Sequence, residues 1–252
     1  MRFADGDAWR SFGGVVRSLR IYYGDRQRRA AMQDLYRRFV GAEELVFDIG
    51  AHVGDRIAAF RRIGARVIAV EPQPALVRTL RLLYGRDRSV VIEPVAVGSA
   101  EGEIELRLNL ENPTLSTASP EFIAATRGAP RWEGQAWRRA IQVPVTTLDA
   151  LIVRHGPPAF IKIDVEGLEA EVLGGLTRPS PALSFEFTTI QRRVAAASIA
   201  RCVALGYRRY NAVIGETHAL VRADWLAADE IAAWLEGLPQ SANSGDVYAL
   251  QG

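Results

Sequence analysis

The sequence contains very little cysteine and lysine, and both shortages narrow what the protein can be. Its one cysteine, Cys202, excludes a disulfide within the chain. The apolar stretch around it, AAASIARCVALG, predicts a buried helical position rather than a reactive thiol. Of the 31 basic residues only Lys162 is a lysine, and the rest are arginine. Arginine serves wherever a solvated positive charge suffices, so the environment of this lysine needs an explanation of its own.

Long apolar runs and a large excess of charge are also missing. No segment approaches the roughly 20 apolar residues of a membrane span, and the first residues, MRFADGDAWRSF, interleave charges where a signal peptide has an apolar core. The net charge of +2 and the lack of any lysine-rich run do not indicate a nucleic-acid partner. We therefore expect a cytoplasmic protein without a membrane span and without a nucleic-acid partner.

Short β-branched runs alternate with helical stretches from residue 45 onwards. Nearly continuous apolar strands separated by helices of this length are typical of βαβ units and a parallel sheet covered on both faces. The pattern predicts an α/β fold with seven core strands. The strands are predicted at 45–50, 66–71, 90–97, 159–167, 182–188, 207–214 and 246–251, and the helices at 55–63, 74–84, 168–176 and 191–205.

Two regions depart from this alternation. EIELRLN after Gly102 has the period-2 pattern of a half-exposed strand, IQVPVTTLD at 141–149 is its predicted partner, and an insertion at about 109–140 lies between them. The RWEGQAW segment of the insertion offers an aromatic surface for an acceptor ring, or anchors the loop. Residues 1–44 predict a helical lead-in that packs on the sheet, or a lid over the active site, or a patch for an anionic acceptor, and the main domain follows at 45–252.

The stretch FDIGAHVGD follows the first predicted strand and resembles a nucleotide-binding loop. A dinucleotide loop has the pattern G-x-G-x-x-G, whereas Gly50 and Gly54 here lack the middle glycine and Asp48 adds a carboxylate. Two unit charges about 4 Å apart interact by about 4 kcal/mol at a dielectric of about 20, so this carboxylate opposes a pyrophosphate. It favours a cationic ligand without phosphate, such as S-adenosylmethionine. The alternative is that Asp48 caps the next helix.

Glu71 ends the second predicted strand, where a carboxylate can accept both hydroxyls of a ribose. Because such an acid also occurs in nicotinamide sites, Glu71 alone does not discriminate between the two cofactors. A nicotinamide-dependent oxidoreductase therefore stays open as a second function, and a non-catalytic relative that binds the cofactor as a third.

Six segments in order, VFDIGAHVGD, VIAVEPQP, VAVGSAEGEIEL, VTTLDAL, FIKIDVEGLEAEVLGGL and LSFEF, resemble the FkbM family of S-adenosylmethionine-dependent methyltransferases over residues 45–190. The resemblance implies a Rossmann-like class I methyltransferase fold with a seven-stranded, mostly parallel sheet. It also implies methylation of a hydroxyl on a small natural product or a saccharide. The sequence departs from the family pattern at position 52, where we expect asparagine and find His52. The residues that it implies for the cofactor are Asp48, Gly50, Ala51, His52, Gly54, Glu71, Pro72, Ala96, Val97 and Asp164.

The KIDVE segment supplies the candidates for catalysis. In an extended strand Lys162, Asp164 and Glu166 lie on one face, and they approach the carboxyl end of the strand, where open parallel sheets bind ligands. We predict that Asp164 or Glu166 orients the acceptor or acts as its base, with Lys162 as electrostatic partner and His52 as the alternative base. The simpler interpretation is a structural ion pair between Lys162 and Asp164.

Metal ligands are sparse in the sequence. Asp164 and Glu166 are the right residue types for a divalent cation, but Glu186 in SFEF is only a distant third candidate. We therefore expect no metal site. Ser116, Thr117 and Ser119 contact the cofactor or the acceptor, or only form turns, and His155 is expected to face solvent.

Overall fold

The computed structural model describes residues 5–252, so the first four residues of the predicted lead-in lie outside the described part. The described chain forms strands and helices that are numbered here in chain order. The strands are β1 Leu45–Ile49, β2 Arg66–Val70, β3 Val90–Glu93, β4 Ala96–Val97, β5 Gly102–Leu108, β6 Arg139–Thr146, β7 Phe160–Ile163, β8 Ala182–Thr188, β9 Tyr207–Ile214 and β10 Ser244–Gln251. The helices are α1 Asp5–Gly24, α2 Arg26–Tyr36, α3 Asp55–Ile63, α4 Pro74–Tyr84, α5 Pro120–Thr126, α6 Leu148–His155, α7 Glu169–Gly174, α8 Arg192–Ala204 and α9 Ala228–Glu236, with 3₁₀ turns at Pro113–Leu115 and Gln240–Ala242.

The main sheet has seven strands in the order β3-β2-β1-β7-β8-β10-β9. β10 runs antiparallel to both of its neighbours, and the other pairs are parallel. The predicted α/β class and the seven-stranded, mostly parallel sheet are therefore confirmed. Since the strand order reverses between β1 and β7, a crevice opens at their carboxyl ends. No helix among residues 5–252 has the length and the apolar character needed to cross a bilayer.

The predicted third strand at 90–97 is wrong as one element. The main sheet keeps only β3, and the chain leaves it at Pro94, which has no backbone N–H to continue a ladder. β4 lies instead in a second sheet of order β4-β6-β5. The predicted pairing of β5 with β6 is confirmed as antiparallel, with Ile104 opposite Val143.

The predicted strand at 159–167 is too long. β7 ends at Ile163, and both Glu166 and Gly167 have positive φ angles, of 57° and 99°. One residue beyond the strand, the Asp164 N–H still donates a hydrogen bond to the Ile49 carbonyl of β1 at 2.9 Å. The alternation that was expected to align Glu166 with Lys162 therefore does not extend to Glu166. Its position is set by the turn between β7 and α7.

Helices bury apolar side chains on both faces of the main sheet. On one face, α2 contributes Met32, Leu35 and Tyr36, and the Tyr36 and Phe60 rings lie 4.3 Å apart between centroids. On the other face α7, α8 and α9 cover the sheet. Cys202 lies fully buried in α8, as predicted, and burial raises the pKa of its thiol to about 12. This double layer holds the carboxyl ends of β1, β2 and β7 rigidly around the crevice.

Candidate active site

A cavity of about 510 Å³ lies at the carboxyl ends of β1, β2 and β7. Its volume falls in the range of roughly 300 to 1,000 Å³ that is common for small-molecule sites. The structure brings all of the predicted site residues except Gly54 into its wall. These residues are Asp48, Gly50, Ala51, His52, Glu71, Pro72, Ala96, Val97, Lys162, Asp164 and Glu166.

The glycine loop is wedged between β2 and the end of β7. The N–H groups of Gly50 and Ala51 donate to the Val70 carbonyl at 2.9 and 3.0 Å. A Cβ at Gly50 would lie 1.8 Å from the Asp164 carbonyl oxygen, so only glycine lets the two turns approach this closely. Gly54 lies at the N-cap of α3 with φ 84°, and it packs against Tyr84 outside the cavity wall.

Asp48 is buried without a partner. It is 1% exposed, and neither of its carboxylate oxygens has a hydrogen bond in the described chain. The alternative that it caps α3 is wrong, because Gly54 occupies that position. Burial raises the pKa of Asp48 to about 6, although the nearby Lys162 and Arg56 oppose the rise. At neutral pH the cavity wall therefore contains an ionised carboxylate with unused acceptor capacity.

Glu71 joins the turns that follow β1 and β2. One carboxylate oxygen accepts the Gln73 N–H at 2.8 Å, and the other accepts the His52 N–H at 3.0 Å. Burial raises its pKa to about 8, and these two backbone donors oppose that rise. In the ionised form of Glu71, each oxygen keeps a free lone pair that can accept a ligand hydroxyl.

His52 connects the glycine loop to two distant segments. Its φ of 49° is in the left-handed region, where asparagine is also well tolerated. The Tyr22 ring of α1 packs edge-on against the imidazole at 5.2 Å, and the Thr114 hydroxyl lies 3.3 Å from its Nε2. Burial lowers the His52 pKa to about 4, so the ring is neutral at physiological pH. Tyr22 and Thr114 also line the cavity, and neither lies in a sequence motif that would have indicated this.

Lys162 and Asp164 form a close ion pair at the end of β7. The ammonium donates to Asp164 Oδ2 at 2.5 Å, and Lys162 is 1% exposed. Burial acts to lower the pKa of Lys162, but the Asp164 carboxylate raises it overall, so the side chain is protonated. Burial likewise acts to raise the Asp164 pKa, and the ammonium holds it below its usual value. The pair is therefore charged at neutral pH.

Asp164 also belongs to a group of three carboxylates that converge at this point. Asp164, Glu166 and Glu186 each place an oxygen within 4.8 Å of the others. The Thr117 hydroxyl donates to the Glu166 carbonyl at 2.7 Å, which holds the turn in place. Burial and then the neighbouring Asp164 raise the Glu166 pKa well above its usual value. Glu186 is far from the other two along the chain, so the sequence does not group it with them. It lies on β8, which is the neighbour of β7 in the sheet.

The remaining candidates mostly have structural roles. The Trp137 indole N–H donates to the Leu115 carbonyl at 2.6 Å, and Trp132 packs edge-on against Phe122, so both tryptophans anchor the insertion. The Ser119 hydroxyl caps α5. The expectation that His155 faces solvent is wrong, because its side chain is only 14% exposed and its Nε2 lies 2.8 Å from a Glu93 carboxylate oxygen.

Comparison with known proteins gives one family. A family model described as the methyltransferase FkbM domain matches residues 48–237. The chain matches no curated protein. Three of the similar solved structures, none above 14% identity, are as follows. The precorrin-6y C5,15-methyltransferase of Geobacter metallireducens is 14% identical, with 89% of this chain and 87% of that chain covered and a TM-score of 0.42. The fibrillarin of Aeropyrum pernix with bound S-adenosyl-L-methionine is 11% identical, with 84% of this chain and 68% of that chain covered and a TM-score of 0.44. An O-methyltransferase of Thermotoga maritima is 9% identical, with 90% of this chain and 65% of that chain covered and a TM-score of 0.44.

Proposed function

The chain belongs to the FkbM methyltransferase family, and we propose that it methylates a hydroxyl oxygen of a small natural product or a glycan. S-adenosylmethionine is the cofactor. The observation that carries the proposal is the buried Asp48 carboxylate, which lies in the cavity wall with both oxygens unpaired. A buried anion without a partner is costly, and a cationic ligand at this position removes that cost.

The residues of the crevice fit this cofactor. Asp48 faces the part of the cavity next to the Gly50 turn, where the backbone can approach a ligand closely, and it would hold the cationic methionyl part. Glu71 would accept the ribose hydroxyls with its free lone pairs. Ala96 and Val97 of β4 give an apolar wall for the adenine. The same anion opposes the pyrophosphate of a nicotinamide dinucleotide.

When bound, S-adenosylmethionine supplies an electrophilic methyl group, so the task of the protein is to position the acceptor and to remove its proton. Asp164 and Glu166 line the cavity beside the Gly50 turn, and we assign to them the orientation of the acceptor hydroxyl. Glu166 is the more basic carboxylate of the two, because burial and the neighbouring Asp164 raise its pKa, whereas the Lys162 ammonium holds the pKa of Asp164 below its usual value. Lys162 keeps Asp164 ionised. His52, with a pKa of about 4, is a weak base and instead lines the site.

The acceptor side of the cavity is built by segments outside the sheet. Tyr22 of α1 and Thr114 of the insertion meet over His52. Tyr23 of the same helix donates to the Val53 carbonyl at 3.1 Å and lies 2.6 Å from the Tyr84 hydroxyl, so α1 is tied directly to the cofactor loop. We infer that α1 and the insertion act as a lid that selects a small acceptor or the end of a glycan.

The test has a binding arm and a transfer arm. Calorimetric titration with S-adenosylmethionine should give a one-to-one complex, and titration with NADH should give none. Incubation with the trideuteromethyl form of the cofactor and a panel of sugars and polyketide alcohols should then add a labelled methyl to a hydroxyl. Binding of NADH alone would support an oxidoreductase. Cofactor binding without transfer to any hydroxyl, nitrogen or carbon acceptor would indicate a non-catalytic relative.

A further inference from the structure

The convergence of Asp164, Glu166 and Glu186 has the geometry of a cation site. Their nearest oxygens all lie within 4.8 Å of one another. Oxygen ligands that lie about 2.1 to 2.4 Å from a six-coordinate cation are themselves about 3 to 5 Å apart. Two of the three side chains come from the turn after β7 and the third comes from β8, so the backbone of the sheet holds them together.

Glu166 gives a second observation that points to a ligand. It is 5% exposed, and within residues 5–252 no hydrogen bond or ion pair reaches its carboxylate. It nevertheless lines the cavity in which the acceptor is proposed to bind. A buried carboxylate normally obtains several donors from the protein. Glu166 has none, although its own backbone carbonyl is paired with Thr117 at 2.7 Å.

The charges around the three carboxylates are unbalanced. The Lys162 ammonium contacts one of them, Asp164, at 2.5 Å. The nearby Arg56 guanidinium is engaged with Asp55 at 2.6 Å and with Glu216 at 3.1 Å. Two further acids lie near the cluster, since Asp246 is the register partner of Glu186 and Glu169 is another negative neighbour of it. Buried charges of one sign require a counter-charge or protonation.

We propose that Asp164, Glu166 and Glu186 bind one divalent cation of the Mg²⁺ or Mn²⁺ class. The donors are all carboxylate oxygens, which suit hard divalent cations and do not suit zinc or copper. The sequence predicts no metal site because Glu186 is distant along the chain, but the register of β7 and β8 brings it close to the other two carboxylates.

The location of the site suggests what the cation does. With three protein oxygens as ligands, a six-coordinate cation keeps positions open toward the cavity. An acceptor hydroxyl that occupies one of them is oriented and made more acidic, and each ligating carboxylate keeps a second oxygen that can face the acceptor. This role rests on the proposed methyl transfer, whereas binding of the cation does not depend on it.

The binding test uses Mn²⁺ and the full chain after treatment with a chelator. Free Mn²⁺ is followed by electron paramagnetic resonance in the wild type, in Glu166→Gln, in Glu186→Gln and in Glu236→Gln, an exposed carboxylate at the end of α9. We expect one Mn²⁺ per chain in the wild type and in Glu236→Gln, and an affinity at least tenfold lower in the two cluster variants. Equal binding by all four proteins, or no stoichiometric binding by the wild type, would overturn the proposal.

A folding control and a transfer assay separate this proposal from the proposed function. Glu186 lies outside the cavity wall, so Glu186→Gln should bind S-adenosylmethionine as the wild type does, which shows that the variant is folded. If the wild type transfers methyl groups equally well with and without chelator, the proposed role of the cation in catalysis fails and the methyltransferase stands. If Mn²⁺ binds at the cluster but S-adenosylmethionine does not bind, the proposed function fails and the metal site stands.

Discussion

Asp48 and Lys162 are register partners on the adjacent parallel strands β1 and β7, yet they are not an ion pair. The ammonium of Lys162 pairs with Asp164 at 2.5 Å, two residues along its own chain, and both oxygens of Asp48 remain without a hydrogen bond. The single lysine of the sequence therefore neutralises one carboxylate at the head of the crevice and leaves the other for a ligand. In the proposed complex, the cationic part of the cofactor is the partner of Asp48.

Replacement of Asp48 by asparagine should weaken binding and strengthen the fold. The neutral amide removes the attraction for the cationic cofactor, so Kd should rise by at least tenfold. At pH 7 the buried carboxylate is ionised at a cost of about 1 to 3 kcal/mol, which the amide avoids. Calorimetry and thermal unfolding measure the two effects. The exposed Asp34→Asn should change neither, and a loss of both stability and binding in Asp48→Asn would contradict the assignment.

Cofactor binding should weaken at acidic pH. The empty protein holds the Asp48 pKa at about 6, above its usual 3.8, and a cationic ligand binds the ionised form. Below pH 6 the carboxylate is protonated, so Kd should rise by up to tenfold per pH unit. The stability of the protein without cofactor should change with pH in the opposite direction to cofactor affinity. The stabilising contribution of protonated Asp48 is fully present below pH 3.8 and is lost as pH rises through about 6. A Kd that is constant between pH 5 and 7 would contradict this prediction.

Removal of Lys162 should destabilise the protein strongly. Lys162→Met leaves Asp164, whose side chain is 26% exposed, without its partner, so the loss should approach but not exceed the roughly 3 to 5 kcal/mol that is typical of a broken buried pair. The double variant Lys162→Met/Asp164→Leu should recover most of this loss, because it removes the second charge as well. Urea unfolding of the wild type, the single variant and the double variant gives the comparison. A single variant as stable as the wild type would show that the ion pair contributes nothing to the fold.

Replacement of Gly50 by alanine should disrupt the crevice. The new Cβ would lie 1.8 Å from the Asp164 carbonyl oxygen, in addition to the strain of a φ of 84°. Gly128 has a comparable φ of 74° but open space around it, so Gly128→Ala measures the strain alone at about 1 to 2 kcal/mol. Gly50→Ala should cost clearly more in urea unfolding and should abolish cofactor binding. Equal losses in the two variants would show that the close approach has no energetic role.

The sequence by itself determined the α/β class, the seven core strands, the glycine loop and the anionic side chain beside it. These features depend on local properties, since the hydrophobic period selects strand or helix and a glycine or an aspartate acts within its own turn. Even the break at Pro94 follows from a single residue, although recognising it requires knowing that β3 lies in a ladder that proline cannot continue.

Only the tertiary structure decided which side chains meet in the crevice. Tyr22 and Thr114 reach His52 from distant parts of the chain, and Glu186 joins Asp164 and Glu166 because β8 is the neighbour of β7 in the sheet. The β7 strand also ends earlier than its alternation indicates, which moves Glu166 off the predicted face. Such contacts depend on strand order and register, which result from the packing of the whole chain and which a local pattern of residues does not encode.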